Sequence, residues 1–220
     1  MEYPPEVLLQ TDEDPVINIL GEKVALGPHR RDLVPLYQRW YNDFAVLRTL
    51  RIPRPSTLEE MQAKYEMEVA EERQRRSAGF TIYDRATLRP IGRAGLGDID
   101  YRDRRAEFGL EIGEADYRGR GYGTETVRLM LDYAFTALGL HNVFLETWEY
   151  NRAAQRAYTK AGFREIGRRR QAKFMGGKLW DIVYMDCLSS EFESPVLSQI
   201  LVPDELRPQA EQKTDEEKTL

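Results

Sequence analysis

Arg118-Gly119-Arg120-Gly121-Tyr122-Gly123 separates a strand-like run, Glu107 to Ile112, from a strongly amphipathic helical run. A glycine-rich turn between strand and helix presents several unpaired backbone N–H groups to one point. The positive end of the helix dipole lies at the same point. Glycine permits positive φ and lets the backbone approach an anion closely. Arg118 and Arg120 add positive charge nearby. The stretch therefore reads as a cradle for a phosphate or pyrophosphate. A dinucleotide fingerprint needs G-x-G-x-x-G and an acidic ribose ligand about 20 residues later. The glycine spacing here is wrong for that, and Glu146, on the next strand Asn142 to Trp148, is a poor match for the acid.

Working outward, Val127, Met130, Leu131, Ala134, Phe135 and Leu138 fall on one apolar face of a helix. Gly139 is its stop, with Leu140 folding back on the last turn. After the strand Val143 to Trp148, the run Asn151 to Phe163 predicts a second helix, with Asn151 as N-cap and Gly162 as terminator. Ala154, Ala157, Tyr158 and Ala161 share one face, and small residues there allow close approach to a neighbour or ligand.

Upstream, Val16 to Leu26 reads as extended with a turn at Gly21-Glu22. Asp32 to Tyr41 and Thr57 to about Gln74 read as helices separated by Pro53 and Pro55. The apolar run Leu36, Tyr37, Trp40, Tyr41, Phe44 and Leu47 extends the first of these towards Leu50. It carries more large groups than one stripe needs, a surplus that suits a cleft cover or the interface of a homodimer. Phe80 to Tyr83 and Ile91 to Ile99 read as strands, and Phe163 to Arg170 with Lys178 to Cys187 as a closing hairpin around Gly176-Gly177. The order β–α–α–β–β–β–α–β–α–β–β predicts a mixed α/β sheet.

Composition bounds function. The 220 residues suffice for one domain with a substantial core. Net charge is −5 with both signs interspersed, which gives no nucleic-acid footprint. The clusters Arg102 to Arg105 and Arg168 to Arg170 read as solvated faces, with a phosphate of a nucleotide ligand as the lesser alternative. Cys187 is the only cysteine, which fits a reducing cytoplasm. His29 and His141 stand without a cysteine or carboxylate cluster, so no metal is expected. Residues 1–15 are polar and acidic, with neither signal peptide nor membrane span expected. Pro208 to Leu220 has the composition of disorder, and Val196 to Val202 is apolar enough to dock on the domain or on a second subunit.

Arg118, Gly121 and Gly123 resemble the R/Q-x-x-G-x-G/A signature of the GNAT acyltransferases. Asn151 to Phe163 resembles the N-x-x-A-x-x-x-Y-x-K-x-G-F motif of the same family. Arg31-Asp32, Trp40-Tyr41-Asn42-Asp43 and Phe174 to Asp181 are similar to the RimJ/RimL branch, which also contains spermidine acetyltransferases. The resemblance covers residues 16–188, leaving 1–15 as an extension and 189–220 as a tail. It implies a GNAT fold of about six to seven strands and about four helices, splayed at the acyl-CoA-binding strand. It implies acetyl-CoA as cosubstrate and an amine acceptor: a protein N-terminus, a polyamine, an amino sugar or an antibiotic. The competing class is a non-catalytic acyl-CoA-binding or protein-interaction module of the same fold.

On this resemblance, Arg118, Gly119, Arg120, Gly121, Tyr122 and Gly123 hold the pyrophosphate. Leu110, Glu111 and Ile112 run beside the pantetheine arm, and their strand supplies the oxyanion donor. Asn151 positions the cofactor or the start of its helix, and Tyr158 hydrogen-bonds the departing thiolate. A primary amine near pKa ~10.4 must lose a proton. Glu107 and Glu111 share a strand face with Gly109, so either is a candidate base; the bland alternative pairs them with Arg104 or Arg105. Glu59, Glu60, Glu66 and Glu68 on the Thr57 helix would line a polyamine cleft, or else form a solvated face.

Overall fold

Apolar residues alternating along the strands build an eight-stranded sheet in the computed structural model, which describes residues 14–50 and 54–206. The strands are β1 (Ile19–Leu20), β2 (Val24–Pro28), β3 (Ala78–Asp84), β4 (Pro90–Asp100), β5 (Arg105–Ile112), β6 (Asn142–Trp148), β7 (Arg164–Met175) and β8 (Lys178–Leu188). Their spatial order is β1-β2-β3-β4-β5-β6-β8-β7. All neighbours are antiparallel except β5 and β6, which are parallel. The short β1 and the paired β2 carry the strand count one past the expected range. The β7–β8 hairpin turns on Gly176 (φ 59°) and Gly177 (φ 75°), both in the region a two-residue primed turn requires.

The two faces of the sheet bury different helices. Val24, Leu26, Phe80, Ile82, Ala106 and Phe108 point to one side and meet α4 (Tyr122–Asp132) and α5 (Arg152–Ala161) in the larger core. Ala25 and Tyr83 point to the other side, where α1 (Val34–Trp40) and α3 (Leu58–Arg73) supply Leu33, Val34, Tyr37, Trp40 and Met61 from in and around them. Gly113 lies where a Cβ would strike the Trp40 ring, so glycine is what lets α1 reach the end of β5.

Two expectations are revised, and one alternative is decided. The helix expected through Leu50 stops at Trp40: Asn42 turns its amide onto the Gln38 and Ser56 carbonyls, and Asp43 caps a new turn, α2 (Phe44–Leu47), through Ala45 N–H. Phe44 is thereby exposed, and the single apolar surplus read from sequence is divided between two short helices. The stripe from Val127 ends in a π turn over Tyr133–Ala137, closed by Leu138 N–H donating to the Tyr133 carbonyl at 3.1 Å. Residues 189–201 dock on their own domain. Buried Asp132 accepts from Val196 N–H (3.0 Å) and Leu197 N–H (2.8 Å), and Phe192 packs on Phe135. A short helix, α6 (Leu197–Ile200), follows. Residues 1–13 and the stretch from Pro208 lie outside the described residues. Among the described residues no helix is long and apolar enough to cross a membrane.

Candidate active site

The parallel pairing of β5 with β6 covers only Arg105, Ala106 and Glu107. Beyond it β5 stays with β4 to Ile112, while β6 stays with β8 to Trp148. The two strands diverge, and from Phe108 onward the β6-facing edge of β5 has no strand partner. A cavity of about 690 Å³ fills the wedge. Leu110, Glu111, Ile112, Arg118, Gly119, Gly121, Gly123, Asn151 and Tyr158 all line it, as does Glu107.

At one end of the wedge the glycine-rich loop turns into α4. Gly119 (φ 71°) and Gly121 (φ 96°) occupy left-handed conformations, and Gly121 is the N-cap of α4. None of the backbone N–H groups from Gly119 to Thr124 finds a hydrogen-bond acceptor among the described residues. Six free donors at a helix N-terminus fit an anion such as a pyrophosphate. The arginines play other parts. Arg118 donates to the Ile112 carbonyl (2.9 Å) and the Gly113 carbonyl (2.6 Å) and pairs with Asp43, so it sews the loop to the end of β5. Arg120 is exposed and donates to the Asp116 carbonyl. Tyr122 points away from the wedge, its hydroxyl donating to Asp84 at 2.8 Å. Arg120 and Tyr122 therefore offer the loop their backbone, not their side chains. A cation the sequence reading missed, Lys23, reaches the loop and donates to the Arg120 carbonyl. Glu125 fixes it there by accepting from Lys23 N–H at 3.0 Å.

On the opposite wall, Asn151 caps α5 through Ala154 N–H, and Gln155 clamps the start of that helix to the Trp148 and Glu149 carbonyls. Tyr158 packs against Phe108 and Phe163, with ring centroids 6.3 and 5.9 Å away. Burial, with a contribution from the Glu111 charge, pushes its phenol up to about 12. The group stays protonated across the physiological range and can only donate or accept a hydrogen bond.

A second cavity of about 300 Å³ lies on the α3 side of β4 and β5. It exists because Gly79, Gly95, Gly97 and Gly109 pave its floor; a Cβ at Gly97 or Gly109 would meet nothing within 4 Å. Glu68, Glu71, Glu72, Glu107 and Glu111 line it against one buried guanidinium, Arg93. Glu107, Gly109 and Glu111 belong to both cavities, so the two meet at that face of β5. Oε1 of Glu111 is buried without a partner. Burial raises its carboxyl above the ordinary range, although Arg93 and Lys64 pull the other way.

Arg93 is held by Glu68 and by His29 Nδ1. Burial works against its charge, but Glu68 and Glu111 more than offset this. His29 is held neutral, first by burial and then by Arg93. Glu72 accepts from Gly79 N–H at 2.9 Å. Thus α3 docks through a polar stripe, Lys64, Glu68 and Glu72, at four-residue spacing. Of the four carboxylates expected to line a cleft only Glu68 does so. Glu60 closes a capping box with Thr57, Glu66 pairs with Arg31, and Glu59 is exposed. Neither arginine cluster borders either of these two cavities: Arg104 donates to the Gly139 carbonyl and Arg168 pairs with Glu165. Arg156 and Lys160 of α5 border the wedge instead. Among the described residues no group of three His, Cys, Asp or Glu could hold a metal ion.

Residues 24–164 match the acetyltransferase (GNAT) domain family, and the chain belongs to it. Spermidine N(1)-acetyltransferase of Vibrio cholerae is 30% identical over 136 residues, covering 62% of this chain and 76% of that protein. The Escherichia coli K12 protein of the same name is 26% identical over 165 residues, 75% of this chain and 86% of the relative. Among solved structures, the Vibrio cholerae spermidine N-acetyltransferase in complex with CoA and spermine superposes with a TM-score of 0.69 at 24% identity, covering 78% of this chain and 98% of that one. RimL, a ribosomal L7/L12 α-N-protein acetyltransferase, in complex with CoA gives 0.69 at 16% identity, covering 79% and 98%. These two likenesses show the GNAT fold. The protein is a GNAT N-acetyltransferase.

Proposed function

We propose that the protein moves an acetyl group from acetyl-CoA to a primary amine by direct attack in a ternary complex, and that the amine is polycationic. The observation that carries the acceptor class is the second cavity, where five carboxylates face one paired guanidinium. A neutral or anionic acceptor gains nothing from that lining; a diamine or polyamine does. The relatives named for spermidine support the same class.

Each residue then has a task. The free N–H groups of Gly119 to Thr124 receive the pyrophosphate, with Lys23 beside them. The open edge of β5 at Leu110 to Ile112 takes the extended pantetheine arm as a pseudo-strand and offers a backbone N–H to the thioester oxygen. Glu111, at the junction of the cavities, takes the amine proton directly or through water; its raised pKa makes it a stronger base than a free carboxylate. Glu107, on the same face, is the second candidate. Tyr158 donates a hydrogen bond to the departing thiolate. At about 12 its phenol is a far weaker acid than a thiol near ~8.5, so a hydrogen bond, not a full proton transfer, is the contribution assigned to it. A homodimer in the cytoplasm completes this reading.

Thiol release from acetyl-CoA is the assay, with spermine, spermidine, an amino sugar and a peptide N-terminus as acceptors. Spermidine or spermine is expected to lead. Turnover confined to the peptide or the sugar refutes the acceptor class. Failure of acetyl-CoA to raise the melting temperature refutes the cradle.

A further inference from the structure

Gly79, Gly95 and Gly109 are lateral partners. Gly79 of β3 pairs with Gly95 of β4, and Gly95 pairs with Gly109 of β5. Partners across a ladder point to one face. The three glycines therefore form a row at right angles to the strands, in the floor of the second cavity and beneath α3. Two strand spacings make that row ~10 Å long. Arg93 and Glu111 of the next row wall one flank, and the other flank begins with Gly97 beside Glu107. The result is a trench that crosses the sheet.

The two ends of the trench differ. Over Gly109 a Cβ would meet nothing within 4 Å, and Gly109 borders the wedge as well. Over Gly79 a Cβ would strike the His29 ring and the Glu72 carboxylate. The trench is thus open towards the wedge and closed at β3. Both ends are acidic. Glu107 and Glu111 flank Gly109, and the buried Oε1 of Glu111 has no partner. At the closed end Glu72 accepts from Gly79 N–H. Its ion-pair partner among the described residues is His29, at 3.9 Å, and that ring is held neutral by burial. Arg93, on the strand between the ends, is already matched by Glu68.

We propose that this trench is a ruler for the acceptor: it takes a linear polyamine whose reacting nitrogen lies at Gly109 and whose far ammonium lies at Glu72, against the closed end. The proposal rests on the acceptor class given above and adds the spacing and the residue that reads it. An extended chain advances ~1.2 Å per bond, so ~10 Å needs about eight bonds between the nitrogens. A triamine with one three-carbon and one four-carbon arm has nine bonds between its ends and spans the trench. A four-carbon diamine has five and falls short.

The test follows thiol release from acetyl-CoA by the full-length protein, with terminal diamines of three to nine carbons as acceptors. Between the four-carbon and the eight-carbon diamine kcat/KM is expected to rise by ~5- to 20-fold, mostly through KM. Replacing the far amine by a hydroxyl, in the eight-carbon amino alcohol, should remove that gain. Glu72→Gln keeps an acceptor for Gly79 N–H. It should flatten the length series and make the eight-carbon diamine and amino alcohol nearly equal. A merely structural Glu72 would leave that ratio unmoved. Gly95→Ala raises a methyl from the middle of the floor. It should raise KM more for the eight-carbon than for the four-carbon diamine, which tests the trench even where Glu72→Gln does not fold. A flat length series in wild type, or a preference for the far ammonium that survives Glu72→Gln, overturns the ruler alone. Turnover confined to peptide or sugar acceptors overturns the acceptor class, and the ruler with it.

Discussion

Tyr158→Phe removes one oxygen from the centre of the site and leaves the ring contacts with Phe108 and Phe163 in place. The Tyr158 hydroxyl has no hydrogen-bond partner among the described residues, and its pKa is moved only by burial and by the Glu111 charge. Deleting it therefore breaks no bond within the protein. The melting temperature is expected to hold or rise slightly, and the affinity for CoA to stay near wild type. The chemical step is where the loss falls. With the phenol at about 12, handing its proton to a thiolate near ~8.5 is uphill by about 3.5 units, roughly 5 kcal/mol. A hydrogen bond confined to the transition state is worth ~1.4–4 kcal/mol, a ~10- to 1,000-fold fall in rate. Single-turnover acetylation of spermidine, with acetyl-CoA in excess, reads this step directly. No basic limb should arise from this group below pH ~11, because the wild-type phenol remains protonated there. Equal rates in the two proteins would refute the reasoning. A lowered melting temperature with a matching loss of CoA affinity would also do so, by making Tyr158 a packing residue.

Gly123→Asp places a carboxylate where the free N–H groups converge. An acid in the first turn suits the α4 dipole, so the unliganded melting temperature should hold while the shift induced by acetyl-CoA vanishes; a persisting shift would move the cradle elsewhere. Glu111→Gln should change the pH dependence of stability. The folded carboxyl titrates above its unfolded value, so wild type loses stability as pH rises from about 4.5 through the folded pKa. The glutamine variant should match wild type near pH 4 and exceed it at pH 7 to 8 in thermal melts; a constant difference contradicts this. Asp132→Ala frees the N–H groups of Val196 and Leu197. It should cost ~1–3 kcal/mol and speed hydrogen exchange over residues 196–201 before any change in β5.

The parts of the fold legible in sequence are those whose signals are local. The loop, the stripe of α4, the cap and stop of α5 and the Gly176-Gly177 turn each lie within a few residues, and each stands near its expected place. Illegible parts depend on partners far along the chain. Arg118 reads as a free cation, but the carbonyls it binds belong to the end of β5. Tyr41 reads as one more apolar helix residue until Lys64, from another helix, meets its hydroxyl. Arg93 gives no local sign of burial, because the carboxylate that makes it tolerable is Glu68, 25 residues upstream. The four-residue spacing of Lys64, Glu68 and Glu72 was available as a signal, and it looks the same on a solvated helix.

The short parallel seam between β5 and β6 has a consequence for how the molecule holds together. One half of the sheet, β1 to β5, comes from residues 19–112, and the other, β6 to β8, from residues 142–188. Each half is nearly continuous in sequence, and three register pairs join them. The backbone ladder is thus two cooperative units with a weak link, bridged by the helices α4 and α5 packed across it. Such units open separately in native-state hydrogen exchange. An extended ligand seated along the open edge of β5 would complete the ladder and make the units open as one. Its protection would then be read on β7, at the far edge of the sheet, a strand that lines neither cavity.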